Sequence, residues 1–337
     1  MRVVIVGAGM AGAVLARALV QRGVSPVAIE RAPASVEIHG PIMLPYQAFD
    51  ALDDVGLYEE VRAGGREVPP HRDGRPVAIA VGRQRLLDRV REGLDIRWEH
   101  ELTGLVTDDS RVTGVTVDGP GGASTIEADI VVGADGARSR VRTLAGIDAE
   151  VSVSDTAFIR FRSPVRTDEA FLITFLNDGR QLTVLDWPGG SAGGWQIPRP
   201  ERGAAEALAP GIEAFRRAFA RLLPGATAAV NAATGIFYQE VTEVRCETWW
   251  RPGVTLIGEA LHAMNPEAGV GSGLGMGDAQ ALAIAVQLHP TDPDAALADY
   301  ERWRRPAVAP YLAVGSKGVR VVRGGELRDE ERWPPIA

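Results

Sequence analysis

A chain of 337 residues with a formal net charge of −8 has room for two domains at roughly 100 to 200 residues each and lacks the basic excess that a nucleic-acid partner requires. Its 45% apolar and 24% charged residues are ordinary globular values, and no apolar run approaches the roughly 20 residues that insertion across a membrane needs. The single cysteine, Cys246, excludes an intrachain disulfide, and a strand that starts directly after Met1 predicts a cytoplasmic protein, monomer or homodimer.

Arg2 to Val6 is a β-branched run ending at Gly7, the pattern of a buried parallel strand. Ala11 to Gln21 reads as a helix stopped by Gly23, and Val27 to Ile29 as a second strand ending at Glu30. The unit is β-α-β. In Gly7-x-Gly9-x-x-Gly12 the first glycine makes the tight turn, the second admits a pyrophosphate to the backbone and the third lets helix and strand approach. Glu30 then stands where a carboxylate accepts from a ribose hydroxyl, so a dinucleotide site is expected.

Gln84 to Leu94 is predicted helical and Asp95 to Trp98 extended. Leu102 to Val106 and Val112 to Val117 suit a small meander, and Ile126 to Val132 a buried strand that ends in Gly133-Ala134-Asp135-Gly136. Beyond it Ala157 to Phe161, Phe171 to Phe175, Leu182 to Trp187 and Gly194 to Pro198 alternate between turn residues, which predicts a mainly antiparallel sheet. A helix over Ile212 to Leu223 and a strand over Gly235 to Val241 follow. Val254 to Ile257 leads into a second glycine-rich stretch, Gly258 to Ala279, with a helix expected from Gly275. A last helix is expected around Asp294 to Arg305, with Arg302, Arg304 and Arg305 on a solvated face, and a loosely held tail after Lys317.

Four motifs occur in order: Gly7-x-Gly9-x-x-Gly12 with Glu30-Arg31; Arg83-x-x-Leu86; Gly133-Ala134-Asp135-Gly136-x-x-Ser139-x-Val141-Arg142; and Gly258 to Ala279. With them the chain resembles the FAD-dependent aromatic-hydroxylase (group A, para-hydroxybenzoate hydroxylase-like) monooxygenases over residues 1 to about 318. The resemblance implies an α/β fold with a Rossmann-like FAD-binding domain of the glutathione reductase type and a mainly antiparallel β-sheet substrate domain. The FAD domain would comprise 1–68, 77–150 and 252–318, the substrate domain 69–76 and 151–251, and the tail 319–337. Implied chemistry is reduction of FAD by NADPH or NADH, reaction with dioxygen to a C4a-hydroperoxyflavin, and hydroxylation or epoxidation of an aromatic or olefinic small molecule. The short span from Gly56 to Arg83 suggests an open pocket for a polycyclic or polyketide-like substrate.

Carried over by position, Gly7, Gly9, Met10, Ala11 and Gly12 would hold the FAD pyrophosphate at a helix start. Glu30, Arg31 and Leu102 would border the adenosine, and Arg83 would reach the ribityl and phosphate region, a surface arginine being the alternative. Asp135 would support the FAD site, although Asp135-Gly136 also suits a strand-ending turn. Gly258 is retained, but Glu259 replaces the family's aspartate, which accepts from a ribityl hydroxyl. Gly269, Gly271, Ser272 and Gly273 would bring backbone to the isoalloxazine, while Val270 and Gly273 replace the family's glutamine and asparagine.

Ile42, Leu44 and Tyr46, in a loop beside the flavin, with Arg160, Trp195, Tyr238 and Pro266, are candidates for the substrate pocket; each equally suits core packing. No catalytic base is assigned, because the flavin performs the oxygen chemistry. The histidines show no ligand spacing, so no metal is expected. Gly189-Gly190-Ser191-Ala192-Gly193 matches a nucleophile elbow, but it joins two strands and suits a hairpin. Gly194-Trp195-Gln196-Ile197-Pro198 is similar to half of a flavin-halogenase element; those enzymes need an early lysine, and Lys317 is the only lysine here. An FAD oxidoreductase without oxygen insertion, and a non-redox cyclase or binding protein on the same fold, are the competing readings.

Overall fold

The computed structural model describes residues 1–176, 180–266 and 269–315, and the predicted tail at 319–337 lies outside them. The first unit forms as expected, with β1 (Val3–Val6), α1 (Met10–Gln21) and β2 (Val27–Glu30). All four β1 side chains are buried, because both faces of a parallel strand are covered. Next come β3 (Pro41–Pro45), α2 (Phe49–Asp54), α3 (Tyr58–Gly64), β4 (Arg66–Arg72), β5 (Arg75–Gly82), α4 (Arg83–Arg91) and β6 (Ile96–Trp98). A meander of β7 (Glu101–Asp108), β8 (Arg111–Gly119) and β9 (Gly122–Glu127) precedes β10 (Ile130–Gly133) and α5 (Arg140–Leu144).

The second half begins with β11 (Ala149–Ser163), β12 (Phe171–Phe175), β13 (Gln181–Trp187) and β14 (Gly190–Pro198). Then follow α6 (Ala204–Leu208), α7 (Gly211–Leu222), α8 (Thr227–Asn231) and β15 (Ile236–Cys246). The chain closes with β16 (Trp250–Arg251), β17 (Val254–Leu256), α9 (Glu259–His262), α10 (Gly271–Leu288) and α11 (Pro293–Gly315).

One sheet has the order β16-β17-β10-β1-β2-β6 and is parallel apart from the edge strand β16. A second, wholly antiparallel sheet has the order β12-β13-β14-β11-β15. Helices cover one of its faces: Ile159, Phe161, Leu182 and Val184 pack with Phe215, Phe219, Ala226 and Val230. Its other face meets a small sheet of β3, β5 and β4, through Leu185 and Phe171 against Met43, Val68 and Ala78.

Several boundaries differ from expectation. The strand expected over Ile126 to Val132 is two strands, because the chain leaves the meander at Glu127 and joins β1 only from Ile130. Between them the Arg2 N–H donates to Asp129 Oδ2 at 2.7 Å, which fixes the crossing. Strands β11 and β15 run well beyond the expected segments, since each supplies the other with backbone partners as far as Ala149 and Cys246. Helix α10 starts at Gly271 rather than Gly275. Helix α11 continues through Pro306 and Pro310 to Gly315, where sequence alone stops it near Arg305. Tertiary contacts hold the extension: Val308 is buried, and Arg245 donates to the Leu312 carbonyl at 2.8 Å.

The Gly189–Gly193 element is a hairpin, with Trp187 paired to Gly190 and Ser191 buried, donating to the Val165 carbonyl at 2.7 Å. Among the described residues no helix is long and apolar enough to cross a membrane.

Candidate functional site

The loop between β1 and α1 is shaped by two crowded glycines and one open one. A Cβ on Gly7, whose φ is +101°, would lie 2.5 Å from the Ala134 carbonyl oxygen, and one on Gly12 would lie 2.0 Å from the Gly7 oxygen. Neither position admits a side chain. A Cβ on Gly9 would meet nothing within 4 Å, so this glycine faces open space. Gly9 also caps α1 without a side-chain hydrogen bond, which leaves the first N–H groups of the helix, from Met10 onward, directed at that space. At the end of β2 the Glu30 carboxylate accepts from the Ala8 N–H and the Ala32 N–H, both at 3.0 Å. Each oxygen keeps a further lone pair.

Arg91, which the sequence reading did not single out, donates from Nε and Nη2 to the Ala8 carbonyl at 2.9 and 2.6 Å. It clamps the same loop. Its guanidinium also lies 5.0 Å from the Trp98 ring centroid, and no local motif announces either contact. Arg31 is exposed, whereas Leu102 is packed in the main core.

The second glycine-rich stretch crosses the first. A Cβ on Gly258 would be 3.2 Å from Ala11 Cβ, and one on Gly275 would be 3.3 Å from Gly258 Cα. Small residues are what allow α1, α9 and α10 to meet there. Beneath the junction lies Asp278, wholly buried. Its Oδ2 accepts from the Gly258 N–H at 3.0 Å and lies 2.5 Å from His262 Nε2, while Arg304 Nε donates to Oδ1 at 2.9 Å. Burial by itself would raise the Asp278 pKa, but His262, Arg304 and the backbone donor outweigh it and hold the group at about 2. Arg304 is therefore a buried partner and not part of a solvated face: its side chain is 16% exposed.

Helix α10 has Val270 as a cap with no side-chain hydrogen bond, so its opening N–H groups share the exposure of those of α1 and add the positive end of an 18-residue dipole. Ser272 Oγ donates to the Met43 carbonyl at 3.0 Å. A Cβ on Gly273 would be 2.8 Å from Pro45 Cγ, and one on Gly269 would be 3.0 Å from Met43 Cε. These two glycines press the helix start onto β3, while Gly271, with only Met264 Cγ near at 3.8 Å, keeps open backbone.

Arg83 and Glu259 begin α4 and α9 and are both solvent-accessible. Desolvation by neighbouring protein lowers the Arg83 pKa, attraction to Glu259 opposes this, and Arg162 adds to the lowering. Arg83, Glu259 and Arg162 are therefore near enough to interact electrostatically. Asp135 acts locally, accepting from Ser139 Oγ at 2.5 Å and from the Arg140 N–H at 2.7 Å. It thus binds the first N–H groups of α5, whose cap residue is Ser139. Arg142, buried, reaches from α5 to the Ala260 carbonyl at 2.7 Å and ties α9 in place.

The pocket candidates separate by face. The 41–45 segment is a strand, not a loop, and its alternation sends Ile42 and Leu44 into the main core and Met43 to the opposite face, against the second sheet. A period-two reading of Pro41–Pro45 would have found this. Tyr46 lies beside Tyr311, their hydroxyls 3.4 Å apart. Trp195 and Tyr238 pair with Leu182 and Ile159, so both belong to the helix-covered face and its core. Arg160 lies on the opposite face. Pro266 follows Asn265, whose side chain donates to Ser154 Oγ and Thr156 Oγ1 at 3.4 Å each and joins this segment to the sheet.

Open space at Gly9 and Gly271, the free starts of α1 and α10 and the carboxylate at the end of β2 suit a dinucleotide that carries a pyrophosphate and a flavin ring. The chain is a flavoprotein of the FAD-binding class. The FAD binding domain family matches residues 1–73 and 83–313, and the chain belongs to it, within the FAD-dependent aromatic-hydroxylase-type monooxygenases. An FAD-dependent urate hydroxylase from Mycolicibacterium vanbaalenii is 27% identical over 99% of this chain and 91% of the relative. A 2-heptyl-3-hydroxy-4(1H)-quinolone synthase from Pseudomonas aeruginosa is 30% identical over 81% and 77%. Of solved structures, PqsL from the same species matches with a TM-score of 0.80 at 23% identity over 98% of each chain. A 2-methyl-3-hydroxypyridine-5-carboxylic acid oxygenase matches at 0.79 and 22%, over 97% of this chain and 93% of its own. The α/β fold of the family is thereby established, and the chain is an FAD-dependent monooxygenase.

Proposed function

We propose that the protein uses NAD(P)H and dioxygen to hydroxylate or epoxidise an aromatic small molecule, including polycyclic and polyketide-like ones. The observation that carries this reading is the pair of helix starts without side-chain caps, at Gly9 and at Gly271, with open space at both glycines, in a chain that also builds a separate antiparallel sheet. Bound FAD supplies hydride acceptance and activation of dioxygen. The chain's own residues bind, orient and shield. Gly7, Gly9 and Gly12, with the N–H groups of Met10 and Ala11, hold the pyrophosphate; Glu30 accepts from the ribose; Glu259 and Arg83 hold the ribityl and phosphate region. The start of α10 favours negative charge on the neighbouring ring. Residues 1–68, 77–150 and 252–318 are assigned to cofactor binding, 69–76 and 151–251 to the substrate. The sole Cys246, which burial pushes up to about 11, suits a reducing cytoplasm, with the chain as monomer or homodimer.

The reading is tested by NAD(P)H oxidation that an aromatic substrate stimulates, with oxygen uptake and an oxygenated product. Stimulated oxidation with no oxygen in the product would move the chain to the oxidoreductases without insertion. Replacement of Glu259 by alanine is expected to weaken FAD binding about tenfold or more, from loss of one hydrogen bond to a charged group, with the apoprotein melting unchanged. Titration of apoprotein with FAD checks it, and unchanged affinity would reject the role given to Glu259.

A further inference from the structure

Ala8, in the loop before α1, is held at both ends by residues distant in sequence. Its N–H donates to Glu30 Oε2 at 3.0 Å, and its carbonyl accepts from Arg91 Nε at 2.9 Å and from Arg91 Nη2 at 2.6 Å. Its side chain is wholly buried. Arg91 ends α4, and its guanidinium rests 5.0 Å from the ring centroid of Trp98, the residue paired in register with Glu30. Helix α4 is fixed in turn from α1: Arg17 donates through Nε to the Val90 carbonyl at 2.9 Å, and through Nη2 to those of Arg89 and Glu92 at 2.8 and 3.1 Å. The guanidinium that grips the loop is thus anchored to the helix that follows the loop.

A trans peptide directs its C=O and its N–H to opposite sides. With the Ala8 oxygen drawn to Arg91, the Gly9 N–H of the same peptide is turned away from it, and among the described residues that N–H meets no acceptor. Rotation of this peptide would present a carbonyl oxygen where the N–H now stands, and an oxygen repels the phosphate that an N–H attracts. Two charge-assisted donors on one oxygen oppose that rotation.

We propose that Arg91 is a positioning residue for the cofactor: by fixing the Ala8–Gly9 peptide it presents the Gly9 N–H to the FAD pyrophosphate and so sets FAD affinity through the backbone. The assignment rests on the pyrophosphate seat given above to Gly7, Gly9 and Gly12. Methionine at this position keeps apolar packing on Trp98 and lacks the donors. Lysine keeps the charge and a donor but not the planar fork.

The test titrates full-length apoprotein with FAD and follows flavin fluorescence. Arg91→Met is expected to bind FAD about tenfold more weakly, from loss of charge-assisted bonds, and Arg91→Lys only about threefold more weakly, a partial rescue. At saturating FAD the phosphorus NMR resonances of the bound pyrophosphate should move in Arg91→Met relative to wild type. A role in the fold alone would lower the apoprotein melting temperature and leave those resonances in place. Affinity within about twofold of wild type in Arg91→Met, no rescue by lysine, or unmoved phosphorus resonances overturns the proposal. If Arg91→Met does not fold, Arg91→Lys decides: the proposal stands on weaker binding with moved resonances and falls on wild-type values of either. Gly9→Val in the same titration separates this residue from the seat it serves. Normal binding in Gly9→Val removes the seat, whereas loss there with none in Arg91→Met removes only the part given to Arg91.

Discussion

Asp278→Asn is expected to lower stability by about 3–5 kcal/mol, the range for removing one partner of a buried ion pair. The carboxylate is wholly buried and serves three donors at once: the Gly258 N–H, His262 Nε2 and Arg304 Nε. An amide of the same shape cannot accept from all of them, and Arg304 would be left almost enclosed without a counter-charge. Its surroundings have been built for this ion. A Cβ on Gly277 would lie 2.9 Å from Arg304 Nη2, so the glycine is the gap through which the arginine reaches the aspartate. Equilibrium urea unfolding of the apoprotein should show a lower midpoint with an unchanged slope. A midpoint within error of the wild type would mean that the pair is not a major stabilising contact.

The same residue sets an acid limb. Its folded pKa of about 2 lies below the roughly 3.9 of an unfolded aspartate. A depressed carboxylate contributes stability that is complete above the unfolded value and is lost as pH falls through the folded one. The contribution should therefore disappear between about pH 4 and pH 2, and Asp278→Asn should flatten the stability profile in that window alone. Because Asp278 also fixes Gly258, weaker FAD binding is expected at neutral pH, where the wild-type group is fully ionised.

What the sequence made legible was local. The Gly7 to Gly12 loop, Glu30, the meander and the alternation of the second sheet are each set by neighbours a few residues away, and the spacing carries the geometry. Elements fixed at long range were not readable. Helix α10 starts at Gly271 because Ser272 and Gly273 bear on Met43 and Pro45, far off in sequence. Arg304 and Arg91 look like surface arginines until tertiary structure brings them to Asp278 and to the Ala8 carbonyl. Trp195 and Tyr238 lay on correctly anticipated strands, yet their face depends on which side α7 covers. A strand's period is local, while its orientation belongs to the whole fold.

Gly9→Val is expected to abolish FAD binding, with a loss of at least about a hundredfold in affinity, or roughly 3 kcal/mol, while leaving the apoprotein as stable as the wild type. Three glycines of one motif make contrasting forecasts. At Gly12 a Cβ would sit 2.0 Å from the Gly7 oxygen, and at Gly7 it would sit 2.5 Å from the Ala134 oxygen in a positive-φ backbone. Alanine at either place must move backbone and so damages the fold first. At Gly9 the backbone has φ −68° and ψ −169°, which any residue adopts, and a Cβ meets nothing. A Cβ there has no protein neighbour to displace, so the added carbons are expected to take up space before the α1 start. Loss of FAD binding without loss of apoprotein melting temperature would identify that space as the pyrophosphate seat. If Gly9→Val instead binds FAD normally, the cofactor lies elsewhere and the parts given to Met10, Ala11 and Glu30 fall with it. If Gly9→Val melts early, the open volume is structural, and Gly12→Ala, measured beside it, gives the scale of that damage.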